Sequence, residues 1–541
     1  MQGLMMDVQL TIPRILERGK RFFPRKRIIT RKADGYHSYT YEDFTERVER
    51  LARALRDMGI GPGDRVATFA WNNHRHLELY FAVPCIGAVL HTVNIRLGGD
   101  QIAYIINHAE DRVVFVDDSL LPVLEGVADE LETVERYVIM TDDDELPDTS
   151  LQPAEHYESV VAAHDPGISW PEIDEDAACV MCYTSGTTGD PKGVVYSHRA
   201  MVIHALGVAT PAALGIEEYD RALMIVPLFH ANAWGLPFIG TMVGCEMVLP
   251  GPFMEPHQLA EMIEDQEVTY AAGVPTIWVG MLQDLEEHDH DLSTLRLITG
   301  GGSAVPKSLI KQYADLGIQL LHGWGMTETG PVATLSKIKS ELSDLSEDEK
   351  MSIYAKQGLA LPLVELRVVG EDGEELPWDG KSEGEIEIRG PYIASSYYRL
   401  PEASEEQWHD GWLRTGDVGV IDGEGYLQLM DRKKDVIKSG GEWVSSVDLE
   451  NAIMGHPDVI ECAVIGVSHP KWQERPLACV VQKEGADLTR EEINDFLEDK
   501  VVKWWLPDDV VFIDEVPKTS VGKFDKKVLR QRFEDYELPT T

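Results

Sequence analysis

Cysteine is scarce, basic residues are few, and no apolar run is long enough to cross a membrane. Six cysteines stand among 541 residues, scattered through apolar stretches. They offer no disulfide framework, so Cys85, Cys179, Cys182, Cys245, Cys462 and Cys479 read as small buried hydrophobes of a reducing compartment. Cys179 and Cys182 do form a C-x-x-C, but within AACVMCYT, a predicted buried strand on which the two side chains face opposite ways. No second C-x-x-C or nearby His completes a zinc set. The longest apolar stretch, Phe81 to Leu90, has ten residues including a Pro, about half a membrane span. The N-terminal MQGLMMDVQLTIPRILERGK is interrupted by Asp7, Pro13, Arg14 and Glu17 and holds no signal-peptide core, so a cytoplasmic location is expected.

The deficit of positive charge is the strongest compositional signal. Forty-nine Lys and Arg against ninety-three Asp and Glu leave a net charge of −44. Such a field repels nucleic acid and anionic membranes, which argues against a nucleic-acid role. The acid is spread along the whole chain rather than gathered in a tail. In about 1 M salt the Debye length falls to roughly 3 Å and this surface becomes tolerable, so a halophile's protein is expected. The hydrophobic content of 43% and aromatic content of 8% exclude a mainly disordered chain. At about 150 residues per packed unit, the length suits three or four of them.

Helical and strand patterns alternate over most of the chain. Residues 40–59 open with Thr40 and Asp43 at capping-box spacing, run at helical period and stop at Gly59. RVATFAW, RVVFVDD, ACVMCYT, RALMIVPL, EMVLP, VTYAAGV and LRLITGG read as strands, with helices between them and from His198. This alternation predicts α/β layers with mostly parallel sheets. Residues 337–356 read as an acidic helical stretch. Over 360–430, short strands joined by Asp-Gly and Glu-Gly turns predict a small β-barrel-like subdomain. After 431–434 the pattern resets into a small α+β unit, in which Ser445 and Asp448 cap a helix and VIECAVIGV forms a strand. The expected organisation is a large N-terminal domain (1–430), a hinge (431–434) and a small mobile C-terminal domain (435–541).

The segment richest in chemistry is Tyr183-Thr-Ser-Gly-Thr-Thr-Gly-Asp-Pro-Lys-Gly193. Four hydroxyls, three glycines and Lys192 follow a buried strand and are expected to precede a helix. Glycines let backbone N–H groups turn inward as an anion nest, hydroxyls add donors, and Lys192 adds charge, so the segment suits phosphate. It is not a Walker A loop, because no G-K-[ST] occurs in it.

YTSGTTGDPKG closely resembles the phosphate loop of the adenylate-forming superfamily of acyl-CoA synthetases, luciferases and peptide-synthetase adenylation domains. Further matches follow in the family's order: Gly300-Gly-Gly-Ser303, His322-Gly-Trp-Gly-Met-Thr-Glu-Thr329, Trp412-Leu-Arg-Thr-Gly-Asp417, Asp431-Arg-Lys-Lys-Asp-Val-Ile-Lys-Ser-Gly-Gly441 and Pro517-Lys-Thr-Ser-Val-Gly-Lys523. The resemblance implies ATP, Mg²⁺ and coenzyme A as cofactor and co-substrates, and it assigns roles. Ser185, Gly186, Thr187, Thr188 and Lys192 would hold phosphate. Glu328 and Thr184 would hold Mg²⁺, which asks for few protein oxygens beside phosphates and waters. Gly302, His322 and Gly323 would cradle adenine, with Thr327 beside the α-phosphate. Asp417 would bind the ribose, with Arg432 as a second contact. Lys523 would bridge the attacking carboxylate and the α-phosphate, where a cation meets developing charge. Lys434 matches the hinge, Gly440 and Gly441 the pantetheine channel, and Lys438 and Trp443 nucleotide contacts of the closed state.

The acyl pocket is implied by Pro227-Leu-Phe-His-Ala-Asn-Ala-Trp-Gly-Leu-Pro237 and Gly273-Val-Pro-Thr-Ile-Trp278. His230 would flank the carboxylate, and Trp234, Val274 and Trp278 would line the wall. No cation in these segments is placed to bind a second carboxylate, which favours a monocarboxylic, apolar acid. The strings GGEWVSSVDLENAIMGHPDV and HPKWQERPLA resemble medium- and long-chain fatty-acid–CoA ligases. The expected reaction joins carboxylate and ATP into acyl-adenylate and pyrophosphate, after which CoA displaces AMP. A short, branched, sulfur-containing or aryl acid is the alternative. A luciferase-like oxygenase shares the motifs, and a non-catalytic sensor would be expected to have lost Lys523, Glu328 or Asp417. A chain stopping about eighteen residues after Lys523 leaves no carrier domain, against a peptide-synthetase module. A homodimer is expected from the resemblance.

Overall fold

The computed structural model describes the chain apart from residues 2, 185–189, 434, 440–441, 484, 499, 520–523, 535 and 540–541, and of 442–443 the main chain only. Two large sheets carry the N-terminal part. One has seven strands in the order Ala154–His156, Arg136–Met140, Asp111–Asp117, Arg65–Phe69, Val89–Thr92, Ala178–Tyr183, Gly193–Ser197, all parallel except the last pair. The other has nine, in the order Leu359–Ala360, Val332–Leu335, Gln319–Gly325, Leu297–Gly301, Tyr270–Gly273, Arg221–Leu223, Glu246–Leu249, Arg27–Lys32, Gly35–Thr40, with a parallel centre and antiparallel edges. These are the α/β layers that the alternation of patterns predicts.

Local signals set the helices between them. Tyr41–Asp57 begins where expected: Asp43 N donates to Thr40 Oγ1 (3.2 Å) and Thr40 N to Asp43 Oδ2 (3.0 Å), satisfying two of the donors that a helix start leaves unpaired. The helix His74–Cys85 is buried along its whole length, packed in the main core. It carries Glu78, fully buried, which has to be compensated. Arg47 Nε (2.7 Å), Tyr157 Oη (2.6 Å) and Tyr39 Oη (3.0 Å) all donate to its carboxylate. The acidic stretch 337–356 forms an α-helix only over Glu347–Tyr354, where Ser346 and Glu349 make a capping box.

All six cysteines are free and buried. The C-x-x-C differs from expectation in one respect: Cys179 and Cys182 pack into the same cluster, not on opposite faces. The pairing of their strand shifts register between Ala178 and Val180, and such an irregularity moves one residue across the pleat.

Residues 365–432 form a five-stranded antiparallel sheet whose pairing path stays open among the described residues. A further sheet over Ile437–Phe512 is packed by Ser446–Ile453 and Arg490–Leu497. It is fastened to the larger part by a buried polar knot. Ser446 N donates to Asp431 Oδ2 (3.1 Å), Ser446 Oγ also meets that carboxylate, and Lys526 reaches Glu450 (2.7 Å) and Ser446 Oγ. Burial pushes the Glu450 carboxyl up to about 7, with Lys526 opposing it. Burial alone would lower the Lys526 pKa, but Glu450 and Asp431 outweigh it and hold it above its ordinary value. Among the described residues no helix is long and apolar enough to cross a membrane.

Candidate active site

The phosphate-loop segment is closed at its base by its own ends. Thr184 N donates to Lys192 O (3.0 Å) and Lys192 N donates to Thr184 Oγ1 (3.1 Å). Ser185, Gly186, Thr187 and Thr188 lie outside the described residues. The segment joins two antiparallel strands, Ala178–Tyr183 and Gly193–Ser197, and the helix begins only at His198. The helix thus starts at His198 as expected, and the strand Gly193–Ser197 between it and the loop is the element not expected from the sequence. The β-branched and aromatic run Val194-Val195-Tyr196 favours a strand, and Ser197 caps the helix by accepting from Ala200 N (3.1 Å).

Glu328 sits on the 3₁₀ turn Thr327–Thr329 that follows the strand Gln319–Gly325. Tyr397 Oη donates to Glu328 Oε1 at 2.6 Å, and Lys192 Nζ stands 4.9 Å from the centre of the Tyr397 ring. Burial, then the Glu328 charge, raises the Tyr397 pKa, so the phenol keeps its proton. Tyr196 Oη holds the turn itself by donating to Thr327 O (2.6 Å). Tyr397 was not singled out from the sequence. It lies 69 residues from Glu328, in PYIASSYYRL, which carries no charge pattern that would mark it.

Asp417 and Arg432 are register partners on adjacent antiparallel strands, and Arg432 Nε donates to Asp417 Oδ1 at 2.7 Å. Trp324 Nε1 donates to Asp417 Oδ2 at 2.9 Å. Each carboxylate oxygen keeps a second lone pair for a ligand hydroxyl. Beside this pair, Gly301 and Gly323 face each other across parallel strands, as do Gly300 and His322. His322 Nδ1 donates to Ala355 O (2.9 Å), and burial drives its pKa down to about 4, so the ring is neutral.

These groups open into two neighbouring cavities that share Gly302, Gly323 and Arg432. The larger, about 570 Å³, is polar where Thr184, Lys192, Thr327, Glu328 and Arg432 meet it, and apolar where Ile225, Leu214, Leu236, Val332 and Leu335 do. His230, Trp234 and Val274 line it as well. The smaller, about 280 Å³, lies between the two parts of the chain and is bordered by His322, Asp417 and the knot residues Asp431, Glu450 and Lys526.

Trp234 reaches the larger cavity through unusual backbone. Ala231, Asn232, Ala233, Trp234 and Gly235 have φ of 43°, 55°, 46°, 56° and 83°, a short left-handed turn. Each non-glycine residue there costs about 1–2 kcal/mol. Buried contacts hold it: Cys182 Sγ reaches Asn232 Oδ1 (3.5 Å) and Asn232 Nδ2 reaches Met201 Sδ (3.6 Å). Only glycine fits at 235, where a Cβ would come 2.7 Å from the His204 ring. Gly301 leaves room for the indole, since a Cβ there would stand 3.0 Å from Trp234 Cη2.

Trp278 is not part of this wall. It is fully buried behind the cavity, where Tyr313 Oη donates to its carbonyl (2.8 Å) and its indole packs in a separate core cluster. The helix Pro275–Glu287 presents Thr276 and Ile277 to the cavity and turns the next residue away. Lys438 is exposed, paired in register with Trp443, and borders neither cavity. Lys434, Gly440, Gly441 and Lys523 lie outside the described residues.

Comparison with known proteins agrees with this geometry. The AMP-binding enzyme family matches residues 16–398, and the AMP-binding enzyme C-terminal domain matches 448–523. The chain belongs to the AMP-binding enzyme family. It is 48% identical over 535 residues to a long-chain-fatty-acid–CoA ligase of Thermus thermophilus, covering 98% of this chain and 97% of that one. It is 42% identical over 537 residues to a 3-methylmercaptopropionyl-CoA ligase of Ruegeria pomeroyi, covering 99% of each. Its fold superposes with a TM-score of 0.86 on the anthranilate-CoA ligase AuaEII in complex with anthranoyl-AMP, at 25% identity, covering 97% of this chain and 98% of that one. Within the family the chain is an AMP-forming acid–thiol ligase.

Proposed function

We propose the following reading of the site. The protein is an ATP-dependent fatty-acid–CoA ligase: the carboxylate attacks the α-phosphate to give acyl-adenylate and pyrophosphate, and CoA thiol then displaces AMP. The observation that carries it is the single cavity with a cationic and hydroxylic end at Thr184 and Lys192 and an apolar end at Ile225, Leu214 and Leu335. Adenosine fits against Gly302 and His322, with Asp417 on the ribose and Arg432 beside it. Acyl chain and α-phosphate then meet near His230 and Thr327. Lys192 and the loop residues Ser185 to Thr188 bind phosphate, and Lys523 supplies the cation at the reacting centre.

Glu328 and Thr184 offer a carboxylate and a hydroxyl on one wall, a donor set that suits Mg²⁺. When bound, Mg²⁺ neutralises phosphate charge. Tyr397 occupies Oε1 of Glu328 and so sets which oxygen faces the cavity. Residues 431–434 act as the hinge between an N-terminal domain (1–430) and a mobile domain (435–541), with Gly440 and Gly441 along the CoA channel. The net charge of −44 supports a halophilic, cytoplasmic setting, and the family resemblance supports a homodimer.

The testing experiment is AMP and pyrophosphate release from ATP with a panel of straight-chain, branched, sulfur-containing and aryl acids, with and without CoA, in molar KCl. CoA-dependent AMP release that peaks at a medium or long straight chain is the expected result. A peak at 3-methylmercaptopropionate, the acid in one relative's name, would move the assignment to that acid. Pyrophosphate release with no CoA-dependent turnover would overturn the thiol as acceptor.

A further inference from the structure

Outside the residues that line the two cavities, three histidines and one carboxylate converge at the ends of two packed helices. His257 stands in the first turn of Pro256–Asp265, Asp284 in the last turn of Pro275–Glu287, His288 directly after that helix, and His290 two residues on. His288 Nδ1 is 3.0 Å from Asp284 Oδ1, His257 Nδ1 is 3.4 Å from the same oxygen, and His290 Nε2 is 3.4 Å from Asp284 Oδ2 and 3.2 Å from His257 Nδ1. Asp284 is only 10% exposed and His290 only 7%, and Asp284 Oδ2 is a buried oxygen that accepts no hydrogen bond.

Donor atoms of His257, Asp284 and His288, one from each, lie within 4.8 Å of one another, close enough to share an ion, while His290 meets the other oxygen of Asp284. Four donors arranged tetrahedrally at 2.0–2.1 Å from a zinc-like ion stand about 3.3–3.4 Å from one another. The outward nitrogens of two of the rings are also provided for. His257 Nε2 faces Glu261 Oε1 (3.4 Å) and His290 Nδ1 faces Glu264 Oε2 (3.3 Å). A carboxylate behind a histidine fixes its tautomer and raises the basicity of the nitrogen that points the other way.

We propose that His257, Asp284 and His288, with His290 beside them on the second oxygen of Asp284, form a binding site for a divalent transition metal of the zinc class. Two imidazoles and one carboxylate suit such an ion and discriminate against Mg²⁺ and Ca²⁺, which prefer oxygen. His257 and His288 are 44% and 47% exposed, which gives the ion a way in. The ion clamps the start of one helix to the end of the other. Met254 and Glu255, just before His257, and Thr276 and Ile277, at the far end of the second helix, line the larger cavity. The site therefore steadies one wall of the cavity without touching the reacting groups.

The test uses untagged, chelator-treated full-length protein titrated with Co²⁺, whose visible d–d bands are intense when the ion is four-coordinate, and with Zn²⁺ by calorimetry. The expected result is a single tight site with strong visible absorption and a melting temperature raised by Zn²⁺. His288→Asn and His257→Ala each lower the affinity about tenfold or more and abolish the thermal shift. Asp284→Asn serves as a third variant should either of these fail to fold. Wild-type protein that binds neither ion, or variants that bind as tightly as wild type, would overturn the proposal. Mg²⁺ in excess is expected not to compete, and displacement of Co²⁺ by Mg²⁺ would count equally against it.

Discussion

In the larger cavity the Tyr397 phenol donates to Glu328 Oε1 at 2.6 Å, while Lys192 Nζ stands over the same ring, 4.9 Å from its centre. One side chain thus touches both Lys192 and Glu328, the residues proposed to meet phosphate and Mg²⁺. Tyr397→Phe keeps the ring under Lys192 and removes only the hydrogen bond to Glu328. The carboxylate then loses its orientation, and the Mg²⁺ concentration for half-maximal AMP release is expected to rise about tenfold, with little change in protein stability. An unchanged Mg²⁺ dependence would show that Tyr397 has no part in placing Glu328.

The two half-reactions separate at Lys523. If its charge acts on the α-phosphate during adenylation, Lys523→Ala abolishes acyl-adenylate formation yet spares thioester formation from supplied acyl-adenylate. Quenched-flow analysis of each half-reaction checks this, and equal loss of both would refute the role. The neighbouring Lys526 is a different kind of lysine. It is tied to Glu450 and Ser446 in the buried knot, so its removal strikes the attachment of the C-terminal part rather than the chemistry.

Buried neutral histidine makes the fold sensitive to acid. His198 accepts a hydrogen bond from Ile12 N at 3.2 Å, and burial lowers its pKa from 6.5 to about 4. The unfolded chain takes up a proton below 6.5 while the folded chain does not. The stability that this group supplies is therefore complete above pH 6.5 and lost as pH falls from 6.5 towards 4. His198→Gln retains an acceptor but cannot titrate. Urea unfolding followed by circular dichroism is expected to show the advantage of wild type shrinking over that interval, by up to about 3 kcal/mol. A difference independent of pH would contradict it.

On the proposed halophilic reading, the acid excess sets a salt requirement. Below about 0.2 M salt, screening of the −44 net charge weakens, and helical circular dichroism is expected to fall on dialysis, returning when KCl is restored. Full helical signal in dilute buffer would remove the halophilic reading.

What was legible in the sequence was local. Thr40 with Asp43, Ser445 with Asp448 and the strands bounded by turns all depend on residues close together in the chain, where spacing alone carries the physics. The places where reading failed depend on distant neighbours. The register shift in Ala178–Tyr183 is set by its pairing with Gly193–Ser197, and it put Cys179 and Cys182 on one side. Trp278 sits one helical position past Ile277, and only the packing of its helix decides which of the two meets the cavity.

The amino-acid sequence by itself determined the layers, the family and the sign of the net charge, because propensity, motif spacing and charge are properties of short segments. Tertiary structure alone decided that Tyr397 meets both Glu328 and Lys192, that a left-handed turn aims Trp234, and that three histidines surround Asp284. Each of these joins residues whose separation in the chain bears no relation to their separation in space. Each is held in place by burial, which makes an unpaired polar group or a strained turn tolerable only where its surroundings are complete.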